Sequence, residues 1–504
     1  MNTAIQRESA LKALAQGTLD LLIIGGGIVG SGVARDAALR GLKVGLVEQH
    51  DFAFGTSSRS SRLLHGGLRY LAQGRIGLVH EASVEKTIIH RIAPHLAEPL
   101  PFLFPTYRGN RHWVLWQLKI GVKIYDLLCR GRNLGRSTWL SKSEVLQRVP
   151  SLTDAGLKGA VRYYDGFTND ARLVLDTLRS AARGGATLLN YCQFKSAKRT
   201  ADWECDLLDR LTGKEFRVRA HAIVNATGPW AERVPHSRVK LRLTKGIHVA
   251  VDRARIPVPD TVVMTEEQRI LFAIPWGERT VLGTTDTDYN GPLDRVTAEA
   301  SDVAYLLEVA NRFFPQAHLT PRDVISTWAG LRPLIADPNG KPSDISRSHE
   351  IRNPEPGWWD VAGGKLTTYR LMAEQTVDKI VSSLQHAHVL GRQPAPCRTA
   401  DEPLLPSVET SGVSGILPPE FSRTAVEHYC AREWAVHLDD VMVRRTSWQR
   451  YFPDARERAG CVADWMGELL GWSEATRAAE IERYLAMIDG SPARSSATAV
   501  TSAS

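Results

Sequence analysis

The sequence predicts an α/β chain of several domains, and three observations carry that prediction. An apolar run at residues 19–24 ends directly in GGGIVGSGVARDAALRGLKVGLVE, which reads as strand, glycine turn, helix and second strand. Residues 240–290 alternate strands and turns, as RLTKGIHVAVD, TVVMTEE and RILFAIPWGERTVLGTTDTDY. After a Pro-rich break at 394–419 the chain reads as helical, up to a tail at 490–504 expected to be disordered. A length of 504 residues fits two or three domains.

The elements follow in order. Residues 5–16 are expected to form a short amphipathic helix before the first strand. In the turn that follows, Gly25 makes the tight bend, Gly27 lets backbone approach a pyrophosphate, and Gly30 lets helix pack closely on strand. Glu48 ends the second strand, where a carboxylate accepts from ribose hydroxyls and repels a 2′-phosphate, so NADP is disfavoured. Residues 77–93 are helical by period, and 99–130 mix prolines, aromatics and scattered Lys/Arg. From 170 to 234 the α/β pattern returns, ending in the apolar strand and small-residue turn VNATGPW. A helix at 297–314 precedes a strand-like segment at 322–336, and VAGGKLTTYR is a second glycine turn that opens a helix.

The first unit alone does not separate NAD from FAD. The late turn does, because a helix N-terminus with Lys365 suits a flavin ring, whose N1 and O2 collect negative charge on reduction. NAD leaves that site unexplained, so FAD is the expected cofactor.

Composition narrows the partners. The net charge of +8 favours an anionic partner, but the basic residues are dispersed and no nucleic-acid module is recognisable, so none is expected. The cysteines show no metal-ligand spacing, which fits reduced thiols and no metal. No secretory signal and no transmembrane run is read, so a cytoplasmic protein is expected. Within 99–130, Trp113, Trp116, Leu115 and Leu118 stand among Arg111, Lys119 and Lys123, a composition suited to an anionic lipid surface.

Beyond these units lie the blocks GTSSRSSRLLHGGLRYL, NDARLVL, KGIHVAV, IPWGERTVLGTTDTDY, WAGLRPL, GGKLTTYR and HLDDVMVRRT. With IIGGGIVGSGVARDAALRGL and VNATGPW, they make the chain resemble the FAD-dependent (aerobic, quinone-linked) glycerol-3-phosphate dehydrogenases. These belong to the D-amino-acid-oxidase-like flavoprotein superfamily. The short Pro-rich stretch near 395–420 departs from that family, which often carries more helical sequence there.

The resemblance implies a discontinuous Rossmann-like FAD-binding domain (18–98, 150–240 and 330–390) and an antiparallel β substrate and membrane-facing domain (99–149 and 241–329). A C-terminal α-helical cap domain would span 400–488. The implied reaction oxidises sn-glycerol 3-phosphate to dihydroxyacetone phosphate, with hydride passing from C2 to flavin N5 and electrons on to a membrane quinone. The enzyme would sit peripherally on the inner face of the cytoplasmic membrane, and a homodimer is allowed. Oxygen as acceptor, or a 2-hydroxy acid as substrate, stay open as alternatives.

It also implies residue roles. Thr56, Ser57 and Ser58 would lie along the FAD pyrophosphate, and Ser61, Leu63, His65, Gly66 and Gly67 would pass beside the flavin. Ala226, Thr227 and Gly228, with Gly364, Lys365, Leu366 and Thr367, would complete the cofactor site. Arg69, Tyr70 and Arg347 would hold the substrate phosphate, with Lys365 nearby. Arg332 would stabilise charge at the reacting oxygen, and Asp286 would orient a cation or cap a turn. The proton acceptor is left between His248 and His65.

Overall fold

Parallel strands are joined by crossovers, so the expected βαβ unit commits the chain to a sheet with helices laid on its faces. A computed structural model describes residues 3–67, 75–109, 114–128, 134–266, 269–336 and 349–489. In it, strands Trp358–Gly363, Lys214–Asn225, Thr18–Ile24, Val44–Val47 and Thr187–Leu189 lie side by side in that order, all parallel. The central strands Thr18–Ile24 and Val44–Val47 are largely apolar on both faces because both are covered. Leu21 and Ile23 join the core under helix Ile28–Leu39, while Leu19 and Leu22 meet Leu14 of helix Thr3–Ala15. Helix Ile28–Leu39 crosses Tyr369–His386 closely enough that a Cβ at Gly32 would stand 3.0 Å from the Tyr369 ring. An antiparallel strand, His349–Glu355, closes one edge, while Trp203–Asp209 pairs antiparallel with Lys214–Asn225 and Cys192–Arg199 pairs antiparallel with Trp203–Asp209.

A second sheet is built around Leu241–Asp252, which pairs with Arg279–Gly283 on one side and Val324–Ile335 on the other. It continues through Arg269–Trp276 and Thr261–Glu266 to Glu98–Tyr107, Leu157–Phe167 and Leu63–Leu64. It is antiparallel except where Thr261–Glu266 runs parallel to Glu98–Tyr107. The expected domain ranges need adjusting here. Leu63–Leu64 and Leu157–Phe167 fall within the ranges read as the cofactor domain, yet they pair with each other in the second sheet. The chain after the first glycine turn crosses from one sheet to the other, so the space between them is lined by both.

Residues 99–130 also resolve differently from the composition. Strand Glu98–Tyr107 leads to helix Leu115–Leu128, in which Leu118, Val122 and Tyr125 are buried. Leu118 therefore faces the core, and the exposed apolar face is Trp116, Ile120, Ile124 and Leu127. Trp113 and Arg111 lie outside the described residues, as does the tail at 490–504. No helix among the described residues is long and apolar enough to cross a membrane.

Helices Arg423–Arg432, Ala455–Leu470 and Glu474–Asp489 share a core of Val426, Tyr429, Val462, Met466 and Tyr484. Buried charge fastens this unit to the first sheet. Asp51 accepts from Arg444 and Arg445, and Arg172 forks onto Glu433 at 2.6 and 2.9 Å while also bonding Asp176. These side chains have almost no solvent exposure, so each charge depends on its partner to offset the loss of water.

Candidate active site

The parallel strands end together, which is where such sheets bind ligands. Ile24 is level with Val47 and with Asn225, so Gly25, Glu48 and the turn from Ala226 to Gly228 converge. Strand Trp358–Gly363 brings Gly364 and Lys365 to the same edge. The turn needs its glycines for space. A Cβ on Gly26 would meet the Phe52 ring at 2.5 Å, and one on Gly30 would meet the Gly25 carbonyl oxygen at 1.9 Å.

One cavity of about 840 Å³ runs from this edge to the second sheet. Gly25, Gly27, Glu48, Thr56, Ser57, Ser61, Leu63, His65 and Gly67 line it, as do Ala226, Thr227, Gly228, Gly364, Lys365, Leu366 and Thr367. His248, Arg332 and Asp286 line it from the second sheet. Three expected residues do not line it. Gly30 is turned to the Gly25 carbonyl, Ser58 is buried behind the wall, and a Cβ on Gly66 would strike the Tyr125 hydroxyl at 2.4 Å. Arg69, Tyr70 and Arg347 lie outside the described residues.

The hydroxyl-rich segment is held by its own side chains. Thr56 Oγ1 donates to Leu331 O at 2.7 Å, so that hydroxyl ties the segment to the second sheet. Ser57 Oγ accepts from Ile28 N at 3.0 Å, which places it at the N-terminus of helix Ile28–Leu39, where backbone N–H groups favour an anion. Glu48 accepts from Gly26 N at 2.8 Å and His50 N at 2.9 Å. Burial raises its pKa and these two bonds oppose the rise. The carboxylate keeps lone pairs for a ribose. His65 and Thr367 exchange bonds between the HGG turn and the late glycine turn, His65 N to Thr367 Oγ1 at 3.0 Å and Thr367 Oγ1 to His65 O at 3.3 Å. A long cavity with an anion-binding helix end, a ribose acceptor and two glycine turns fits a flavin dinucleotide.

The second sheet brings His248 and Arg332 to the cavity in register. His248 pairs with Trp328, Gly246 with Gly330 and Thr244 with Arg332, and alternation puts each set on one face. With no side chain at Gly246, the Arg332 guanidinium lies over that position, donating to Thr284 Oγ1 at 3.0 Å, Thr285 O at 3.2 Å and Asp286 Oδ1 at 3.0 Å. Asp286 thus orients a cation. Gly330 leaves room for the backbone of Arg59, which a Cβ would meet at 2.8 Å.

His248 is 2% exposed, stacks on Trp328 at 5.1 Å and 13°, and its Nε2 shares a hydrogen bond of 2.8 Å with Ser61 Oγ. Burial, followed by the nearby guanidiniums of Arg332, Arg450 and Arg62, holds its pKa well below the ordinary histidine value. The imidazole is therefore neutral at physiological pH.

Several groups escaped the sequence reading. Trp328 and Arg450 stand behind His248. Asp165 lines the cavity, and its carboxylate accepts from Lys86 at 2.8 Å and from Tyr125, whose hydroxyl in turn accepts from Gly66 N at 3.0 Å. Arg269 lines the cavity beside Phe272 and Tyr305. WAGLRPL shows Trp328 four residues before Arg332, two strand repeats and hence one face, which was a readable signal. For Arg450 and Lys86 the sequence carried none.

Relatives are found both by sequence and by fold. Residues 20–378 match the FAD dependent oxidoreductase family. The aerobic glycerol-3-phosphate dehydrogenase of Staphylococcus aureus (strain MRSA252) is 40% identical over 407 residues, which is 79% of this chain and 72% of that one. The glycerol-3-phosphate dehydrogenase from Bacillus halodurans, solved with FAD, superposes with a TM-score of 0.77 at 29% identity, covering 97% of this chain and 98% of that one. An L-α-glycerophosphate oxidase from Mycoplasma pneumoniae shares the fold, with a TM-score of 0.59 at 16% identity over 78% of this chain and all of its own. With its glycine turns, its Glu48 carboxylate and its histidine and arginine on one cavity, the chain belongs to the FAD-dependent oxidoreductases and, among them, to the aerobic glycerol-3-phosphate dehydrogenase family.

Proposed function

We propose that this protein oxidises sn-glycerol 3-phosphate to dihydroxyacetone phosphate and passes the electrons to a quinone at a bilayer surface. The observation that carries the reading is the Arg332 guanidinium laid over Gly246 in the row next to His248, on the wall of the cavity that the glycine turns open. The names of the 40% and 29% identical relatives support the substrate. Bound FAD supplies the acceptor for the hydride from C2.

The chain does the rest. His248, kept neutral, takes the proton of the C2 hydroxyl, directly or through Ser61. It is preferred to His65 because it shares a strand face with Arg332, which stabilises the developing alkoxide and stays charged throughout. Arg332 is already oriented by Thr284 and Asp286, so little reorganisation is needed as charge develops. Arg69, Tyr70 and Arg347 hold the phosphate, and Lys365 balances charge at the cofactor ring. The roles of Gly25, Gly27, Glu48 and the 56–67 segment in holding the dinucleotide belong to the same proposal.

The exposed ridge Trp116, Ile120, Ile124 and Leu127, with Lys119 and Lys123 on the same helix, supports docking to anionic lipid, where a quinone is reached. The test is anaerobic. Adding sn-glycerol 3-phosphate to the flavin-loaded protein should bleach the visible flavin absorbance, and a soluble quinone analogue should restore it faster than air does. Loaded protein that fails to bleach would overturn the substrate, and faster recovery in air would overturn the acceptor.

A further inference from the structure

The helical C-terminal domain reaches the active site from behind. Its short helix Trp448–Tyr451 carries Arg450, which is 4% exposed. The Arg450 guanidinium donates to the backbone oxygen of Ser58 and lies 5.1 Å from the centre of the Trp328 ring. Trp328 stacks nearly parallel on His248 and donates through Nε1 to Ser60 O at 3.3 Å. Ser326 Oγ donates to Arg450 O at 2.7 Å, fixing the helix to the strand that carries Trp328. One residue beyond Ser60, Ser61 bonds His248. Arg62 closes the far side, donating to Ser447 Oγ at 2.8 Å and packing 4.1 Å over the Trp276 ring. Guanidinium and imidazole thus both lie against one indole ring, the guanidinium coming from the C-terminal helices and the imidazole from the second sheet.

We infer that Arg450 is a positioning residue: it acts through Trp328 and the Ser58–Ser61 backbone to hold the His248 ring in place, so that the C-terminal domain is part of the catalytic apparatus. The arrangement is costly unless it has a use. Burial and the neighbouring Arg62 push the Arg450 guanidinium down to about 9, and its Nε has no hydrogen-bond partner among the described residues. The charged groups facing His248 are Arg332 from strand Val324–Ile335, Arg450 from the C-terminal helix and Arg62 from the segment before Leu63. Asp170 lies 4.0 Å beyond Arg62, and strand Arg279–Gly283 presents only Gly283 to the ring. Arg450 therefore contributes one of three positive charges around a neutral imidazole, against the ring on which that imidazole stacks.

The inference rests on the proposed role of His248 for its catalytic meaning, but its first test does not. In flavin-loaded protein carrying isotope-labelled histidine, assigned by comparison with His248→Asn, the His248 ring should show no titration near pH 6.5. In Arg450→Met it should protonate at a pH higher by roughly one unit than in the parent. Identical titration in both proteins overturns the inference. The second test is a double-mutant cycle on kcat/KM. Arg450→Met should cost roughly ten-fold in an active background and nothing further in His248→Asn. Additive losses overturn the coupling. If Arg450→Met does not fold, Trp328→Leu removes the intermediary while keeping the Arg450 charge, and it must reproduce the second result, a roughly ten-fold loss in an active background and nothing further in His248→Asn. Parental turnover in His248→Asn would remove His248 from the proposed chemistry, whereas an unshifted His248 titration in Arg450→Met would overturn the coupling to Arg450, so the two readings fail separately.

Discussion

A single methyl group at Gly246 should disable the enzyme while sparing the fold. Gly246 lies within strand Leu241–Asp252 and has an ordinary backbone conformation, so alanine introduces no backbone strain. The added carbon would stand 2.3 Å from Arg332 Nη2, 2.7 Å from its Cζ and 2.6 Å from Thr284 Oγ1. The guanidinium is the far end of a flexible side chain and can retreat by about 1 Å, but its bonds to Thr284 at 3.0 Å and Thr285 O at 3.2 Å cannot survive that movement. A misplacement of about 1 Å in a positioned catalytic group costs about 100-fold, or about 2.7 kcal/mol of transition-state stabilisation. The stability change should stay within about 1 kcal/mol, since alanine is not disfavoured relative to glycine inside a strand. The assay is kcat/KM for sn-glycerol 3-phosphate with a soluble quinone analogue, alongside flavin content and thermal unfolding. Combined with Arg332→Ala, Gly246→Ala should add nothing. Parental kcat/KM in a flavin-loaded Gly246→Ala protein would refute the placement of Arg332, and a further loss in the double variant would show that the methyl acts elsewhere.

Four other outcomes are expected. Because the His248 pKa is depressed, the free enzyme should show no acid limb near pH 6.5 in kcat/KM; a limb there that disappears in His248→Asn would refute the neutral ring. Against the upward push of burial, Arg172 holds Glu433 below the usual carboxylate range, and His437 and Arg483 hold Glu480 down to about 2. Their stabilisation is complete above about pH 4.5 and drains away as the pH falls toward about 2, so Glu433→Gln should flatten the acid-unfolding profile of the C-terminal domain, and an unaltered profile would refute the linkage. Asp51→Asn takes from the buried Arg445 its carboxylate partner, while Arg444 keeps Asp439 and Asp440, and should cost about 3 kcal/mol in denaturant unfolding; a loss under about 1 kcal/mol would mean the network is not what fastens the domain. Trp116→Asp with Ile120→Asp should abolish cosedimentation with anionic vesicles and leave turnover with a soluble acceptor intact, whereas unchanged sedimentation would move the lipid contact elsewhere.

What could be read from the sequence was whatever is local. The path from strand to glycine turn to helix at Gly25, Gly27 and Gly30 is a contiguous pattern, and the same grammar at VNATGPW and GGKLTTYR brought three distant segments to one sheet edge. His248 and Arg332 were readable as types suited to the chemistry, but their shared face follows from the pairing of Leu241–Asp252 with Val324–Ile335, which no single segment encodes. The transfer of Leu63–Leu64 into the second sheet was hidden because two residues carry no period. Thr56 lines the cavity, and that its hydroxyl donates to Leu331 O, a partner 275 positions away, is something no local pattern shows. Leu118 and Trp116 looked equivalent by composition, and only the direction in which helix Leu115–Leu128 faces its neighbours separates them.

The bond between Asp51 and its two arginines also sets an order of events during synthesis. Asp51 emerges from the ribosome with the first βαβ unit, while Arg444 and Arg445 lie 393 and 394 residues further along. At typical elongation rates that interval is roughly 20 to 80 seconds. Throughout it, the nascent domain must either keep this carboxylate in water, leaving the region around Phe52 and Ala53 loosely packed, or bury it protonated. The parallel sheet is likewise incomplete until Trp358–Gly363 has been made. The cofactor cavity is therefore a late product of translation.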